Sequence, residues 1–170
     1  GRLDYHAEGL LLLTSDGELA NRLLKVSSQL PQTYWVKVKG RLSDEERHAI
    51  QQKVGARLEA LRGRPGAPNP WYEAALTEPK RDALRQNLAR MGHPVEKIRR
   101  VALAGIGLGP LAPGEYRFLE AEEVSALFRA VAGAERGGRP LLSGRERRPG
   151  AAIARRRART PSFHRRNNHG

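Results

Sequence analysis

Thr33-Tyr34-Trp35-Val36-Lys37-Val38-Lys39 alternates along its length and is rich in β-formers. It predicts a strand with Tyr34, Val36 and Val38 on one face and Lys37 and Lys39 on the other. Helices are signalled on both sides of it. Upstream, Ser15 and Glu18 have capping-box spacing and Leu19, Leu23 and Leu24 recur at helical intervals, predicting a helix from about Asp16 to Lys25. Downstream, Ser43 with Glu46 opens a second helix toward Gln52. Trp71 to Thr77 reads as a further strand, after a loop punctuated by Gly63, Pro65, Gly66, Pro68 and Pro70. Arg81 to Met91 is helical, with Leu84, Leu88 and Met91 on one side and Gly92 as its stop. Shorter strands are predicted at Ile98 to Leu103 and at Glu115 to Phe118, followed by an amphipathic helix from Ala121 to Val131 carrying Val124, Leu127, Phe128 and Val131. Strands separated by unequal helices, without a regular βαβ rhythm, predict an α+β fold: a largely antiparallel mixed sheet with flanking helices.

Charge divides the chain in two. The 170 residues carry 31 Lys+Arg against 18 Asp+Glu, a net charge of +13. Residues 136–170 hold 11 Arg, no Lys and the single acid Glu146, so +10 of that charge lies in the last 35 residues. This segment contains Gly137-Gly138, Pro149-Gly150 and Arg155-Arg156-Arg157 but no apolar period, and it cannot bury enough surface to offset its ordering entropy. The expected organisation is a folded domain over residues 1–135 and a disordered Arg-rich tail over 136–170. Arginine suits bidentate phosphate contacts, which points the tail at nucleic acid; a solubilising extension is the competing reading. The chain contains no Cys, which excludes disulfides and thiolate chemistry. Its longest Leu run, Leu10 to Leu13, is far short of the roughly 20 apolar residues of a membrane-spanning helix. It opens on Gly1 without an initiator Met or signal-peptide pattern, and a preceding piece is expected.

The candidate chemistry begins at Asp4, an acid between Arg2 and the hydrophobic stretch that starts at Leu10. The string Gly1-Arg2-Leu3-Asp4-Tyr5-His6-Ala7-Glu8-Gly9-Leu10-Leu11-Leu12-Leu13-Thr14-Ser15-Asp16-Gly17-Glu18-Leu19-Ala20 resembles the signature motif of RNA pseudouridine synthases, specifically the RsuA family that acts on small- and large-subunit rRNA. The likeness continues to about Val131. Gln32 to Gly40 resembles the family's second motif. Asn69 to Glu78 resembles the strand leading to the third, and Pro79 to Asn87 its helix. Gly92-His93-Pro94-Val95, Ile98-Arg99-Arg100-Val101 and Leu111-Ala112-Pro113-Gly114-Glu115-Tyr116-Arg117 follow the pattern as well. Pro79, Ala83, Gln86 and Asn87 depart from it.

The resemblance implies that Asp4 is the catalytic carboxylate, that Arg85 pairs with it, that Tyr34 packs against the target base and that Leu84 lies beneath it. It also implies an upstream segment contributing strands to the same domain. The reaction breaks the N1–C1′ bond of a uridine and joins C5 to C1′, which calls for one carboxylate near the ribose and for neither cofactor nor metal. His6, His48, His93, His164 and His169 are scattered without ligand spacing. The target base must be flipped out of its stack, and Arg2 is placed to fill the gap or hold phosphate. Lys37, Lys39, Lys80, Arg81, Arg99 and Arg100 are candidates for an RNA track, each with a solvated charged face as the alternative. Trp35 and Trp71 read as sheet-face packing and His93 as a turn residue before Pro94. The expected partner is RNA, ribosomal RNA or an assembling ribosomal subunit, for a cytoplasmic monomer that does not engage a membrane. A non-catalytic RNA-binding protein derived from the same fold is the alternative. A glycosidase pair of Asp4 and Glu8 leaves the tail charge unexplained.

Overall fold

The structure, a computed structural model, describes residue 3, residues 7–62 and residues 68–137. The expectations for Arg2, Asp4, the loop around Gly63 to Gly66 and the tail from residue 138 onward lie outside the described residues.

The alternating stretch becomes β2 (Gln32–Val38), the middle strand of the sheet, with Tyr34, Val36 and Val38 fully buried on one face. It pairs antiparallel with β4 (Trp71–Leu76) on one side and with β5 (Val95–Leu103) on the other. The edges are three-residue strands, β1 (Ala7–Gly9) parallel to β5 and β3 (Leu58–Ala60) antiparallel to β4. The order β1-β5-β2-β4-β3, with the two-residue β6 (Ile106–Gly107) hairpinned onto β5, makes a six-stranded mixed sheet among the described residues. Among the described strands only the β1–β5 pairing is parallel, so the expected class holds. The short edge strands are too brief to show a period, and sequence reading missed all three.

The helices start where their caps dictate. In α2 (Asp44–Val54) Ser43 and Glu46 form the predicted reciprocal capping box. In α1 (Gly17–Lys25) the cap is Asp16 and not Ser15, because the Asp16 carboxylate accepts from Leu19 N at 3.0 Å. α3 (Glu78–Arg90) starts three residues earlier than expected, with Pro79 in its first turn, where the missing N–H costs no helical bond. It stops at Gly92, whose φ of +85° is the left-handed conformation that glycine adopts without strain. α4 (Ala121–Glu135) runs a turn beyond Val131 and is tied to α1 by Arg22, which donates to both carboxylate oxygens of Glu135. Glu115 to Phe118 is not a strand: among the described residues no strand pairs with it, and Tyr116 and Phe118 stand exposed.

Two apolar clusters hold the molecule together. Ile50 and Val54 of α2 and Leu84 and Leu88 of α3 pack with the buried face of β2, β4 and β5. Leu19 and Leu23 of α1, Leu103, Ile106, and Leu127 and Val131 of α4 form the second with Leu10.

Candidate active site

The buried face of β2 carries one polar side chain, Gln32, two residues before Tyr34 and therefore on the same side. On β5, Leu103 lies opposite Gln32 and Arg100 opposite Tyr34. A register shift places Thr33 against Ala102 but Tyr34 against Arg100, so Val101 is the extra residue of a bulge. The bulge lets Arg100 and Leu103, three apart, both turn inward. Arg100 is 1% exposed, its Nε donating to the Leu10 carbonyl at 2.9 Å and its Nη1 to Gln32 Oε1 at 3.2 Å. The Tyr34 hydroxyl donates to the same Gln32 oxygen at 2.6 Å. A buried guanidinium is tolerated only when it is paired in this way.

β1 brings the chain to this face. Gly9 lies opposite Arg100 with φ +113°, and a Cβ there would stand 2.2 Å from the Arg100 carbonyl oxygen. Only glycine lets the backbone come so close. Leu10 N then donates to Arg100 O at 2.8 Å, so the residues after the Gly1 to Asp4 motif are stitched to Arg100 through both backbone and side chain.

α3 supplies the remaining candidates. Arg81 and Arg85 are one helical turn apart and share a side. Arg81 is 5% exposed, Arg85 is half-buried, and Leu84 beside them is fully buried. Arg81, Arg85 and Arg100 all have partners.

The sequence-predicted residues thus fall into groups. Tyr34, Leu84 and Arg100 face the buried side of the sheet. Tyr34 is 0% exposed, so in this conformation its ring has no face open to a base. Arg81 and Arg100, expected along an RNA track, are 5% and 1% exposed. Lys37 lies on the opposite face of β2 and pairs with Glu96 at 3.1 Å; on that face Arg99 donates to Glu8 and Trp35 Nε1 to Glu73. Lys39 is exposed past the end of β2. Lys80 rests its ammonium against Gly55, the C-cap of α2, where a helix C-terminus favours a cation. His93 is in the turn as expected and does more there, with Nδ1 2.8 Å from the Lys39 carbonyl oxygen and Nε2 3.0 Å from Glu46 Oε1. Sequence reading overlooked Gln32; the signal was a polar residue on the apolar side of an alternating strand. No group of acids and histidines able to hold a metal ion occurs among the described residues.

Comparison with known proteins bears on the same elements. Residues 1–104 match the family described as RNA pseudouridylate synthase. The chain is 37% identical over 139 residues to an uncharacterized RNA pseudouridine synthase of Aquifex aeolicus (strain VF5), covering 77% of this chain and 55% of that protein. It is 34% identical over 145 residues to ribosomal large subunit pseudouridine synthase E of Xanthomonas campestris pv. campestris, covering 73% of this chain and 78% of that one. A crystal structure described as pseudouridylate synthase aligns with a TM-score of 0.61 at 25% identity, over 75% of this chain and 57% of its own. The chain spans about half the length of the Aquifex relative. With the match running through β1, β2, β4, α3 and β5, the chain belongs to the RNA pseudouridine synthase family.

Proposed function

We propose that the protein converts a uridine of ribosomal RNA into pseudouridine, with Asp4 as the reacting carboxylate. The supporting observation is the attachment of β1 to β5. The chain leaves the Gly1-Arg2-Leu3-Asp4 motif and within three residues enters a strand fixed beside Arg100 and Tyr34, so covalent reach alone keeps Asp4 within about 11 Å of Ala7. The name of the Xanthomonas relative supports ribosomal RNA as the substrate.

The isomerisation is balanced without a co-reactant. The N1–C1′ bond breaks, C5 bonds to C1′, the proton on C5 leaves, and N1 takes up a proton. Asp4 acts at the sugar, at C1′ or on a sugar proton. Arg85 pairs with Asp4 and keeps the carboxylate aligned on the sugar. Tyr34 and Leu84 form the apolar support for the flipped base, and Arg2 occupies the space the base leaves. The Arg-rich residues 136–170 add sequence-independent phosphate contacts.

Incubating the full-length protein with unmodified rRNA and mapping pseudouridine chemically tests this. The parent should modify a discrete uridine, and Asp4→Asn should abolish the modification while RNA affinity stays within about threefold, because only the charge the reaction uses is lost. Tight RNA binding by a parent that modifies nothing would instead establish a non-catalytic RNA-binding protein.

A further inference from the structure

Gln32 has no counterpart in the proposed chemistry, yet it is 3% exposed and joins two groups that sit at the site. Its Oε1 is the common acceptor of the Tyr34 hydroxyl at 2.6 Å and Arg100 Nη1 at 3.2 Å. An amide oxygen has two lone pairs, so both bonds form at once. The first fixes the rotation of the phenol O–H and commits Tyr34 to donating. The second helps hold the guanidinium whose Nε donates to the Leu10 carbonyl, and so connects the phenol to the residues that follow Asp4 in the chain. Buried polar chains of this kind rigidify when every member is satisfied and are costly when one is removed.

We propose that Gln32 is a positioning residue for the reaction: its side-chain oxygen sets the orientation of Tyr34 and Arg100 together, and Arg100 in turn holds the Leu10 carbonyl. The inference rests on the functional reading above. It accounts for a polar residue at a strand position where the next two inward residues after Tyr34 are Val36 and Val38. It also accounts for the bulge at Val101, without which Arg100 and Leu103 would face opposite sides.

The test uses the full-length protein, an unmodified rRNA fragment carrying the target uridine, and four variants: Gln32→Met, Gln32→Glu, Tyr34→Phe, and Gln32→Met combined with Tyr34→Phe. Gln32→Met keeps the volume and removes the acceptor. It should lower kcat by about 100-fold, the scale expected of roughly 1 Å misplacements, with KM within about threefold. Gln32→Glu retains an acceptor for both donors and should recover most of kcat at neutral pH, with an added loss at low pH as the new carboxyl protonates. The double variant should be no slower than Gln32→Met alone, since the two residues act as one unit. Three results would overturn the proposal: a fall in activity that only tracks the folded fraction measured by circular dichroism, a rise in KM at unchanged kcat, or multiplicative losses in the double variant. An inactive parent would overturn the functional reading itself, and the positioning role with it. An active parent whose Gln32 variants match it would overturn the positioning role alone.

Discussion

The cluster beneath β2, β4 and β5 is closed, whereas the one around α1, β6 and α4 is open along one side. In the first, α2 and α3 lie across the sheet and Ile50, Leu76, Leu84 and Leu88 are fully buried. In the second, Leu10–Leu13 and residues 106–108 and 111–119 border a groove of about 450 Å³, and Leu13, Tyr116 and Phe118 are 85%, 81% and 87% exposed. Tyr116 and Phe118 meet edge to face, with ring centroids 6.2 Å apart, and gain little else from the fold. Similar residue types therefore contribute differently on the two sides, because hydrophobic stabilisation follows the area removed from water and not the composition of a segment.

The sharpest contrast should come from truncation. Leu88→Ala in the closed cluster should cost about 3 kcal/mol through lost transfer energy and a cavity that helix and sheet cannot collapse to fill. Urea unfolding measures it. A cost below that of an average surface change would mean that the closed cluster is looser than its burial indicates.

Gly9→Ala tests the junction between the two regions and should come next. The added Cβ meets the Arg100 backbone and φ is +113°, so a penalty of about 2 kcal/mol is expected, concentrated in β1. Amide exchange should show faster exchange at Leu10, whose N–H bonds Arg100 O, while β4 stays protected.

A smaller, pH-dependent effect is expected at His93, which bridges the end of β2 and the start of α2. The Lys39 carbonyl, then the Glu46 carboxylate, raise its pKa above the ordinary 6.5. Its contribution is fully present below that value and is lost as pH rises through the raised pKa. The Ser43 backbone N–H, then His93, hold Glu46 below the ordinary 4.5, so its share is present above that value and is lost as pH falls through the lowered pKa. Between the two values both contribute. His93→Gln should cost about 1 kcal/mol near pH 5.5 and less at pH 9, as read from melting curves at the two pH values.

The smallest effect is expected on the open side. Leu13→Ser and Phe118→Ser should each change stability by less than about 0.5 kcal/mol, as befits exposed side chains. A larger loss in urea unfolding would show that the groove contributes to the fold and narrow the contrast between the two clusters.

What the sequence determined by itself was local or carried by contiguous motifs. The alternation around Tyr34, the Ser43–Glu46 box and the stop at Gly92 were legible because each signal spans a few neighbouring residues, and the resemblance that led to the family rested on unbroken strings such as the one holding Asp4. The tertiary structure decided everything that depends on distant partners. β1, β3 and β6 have three residues or fewer and exist only because β4 and β5 lie beside them. Glu115 to Phe118 has strand-forming residues and, among the described residues, no strand to pair with. Arg81 and Arg100 look in sequence like any other basic residues. Their burial comes from where a helix and a bulged strand place them in the packed structure, and Gln32 gains its significance from Arg100, 68 positions away. Periodicity is a property of neighbours along the chain, whereas desolvation and pairing belong to neighbours in space, so a charged residue's sequence shows its sign and only the packed structure shows its surroundings.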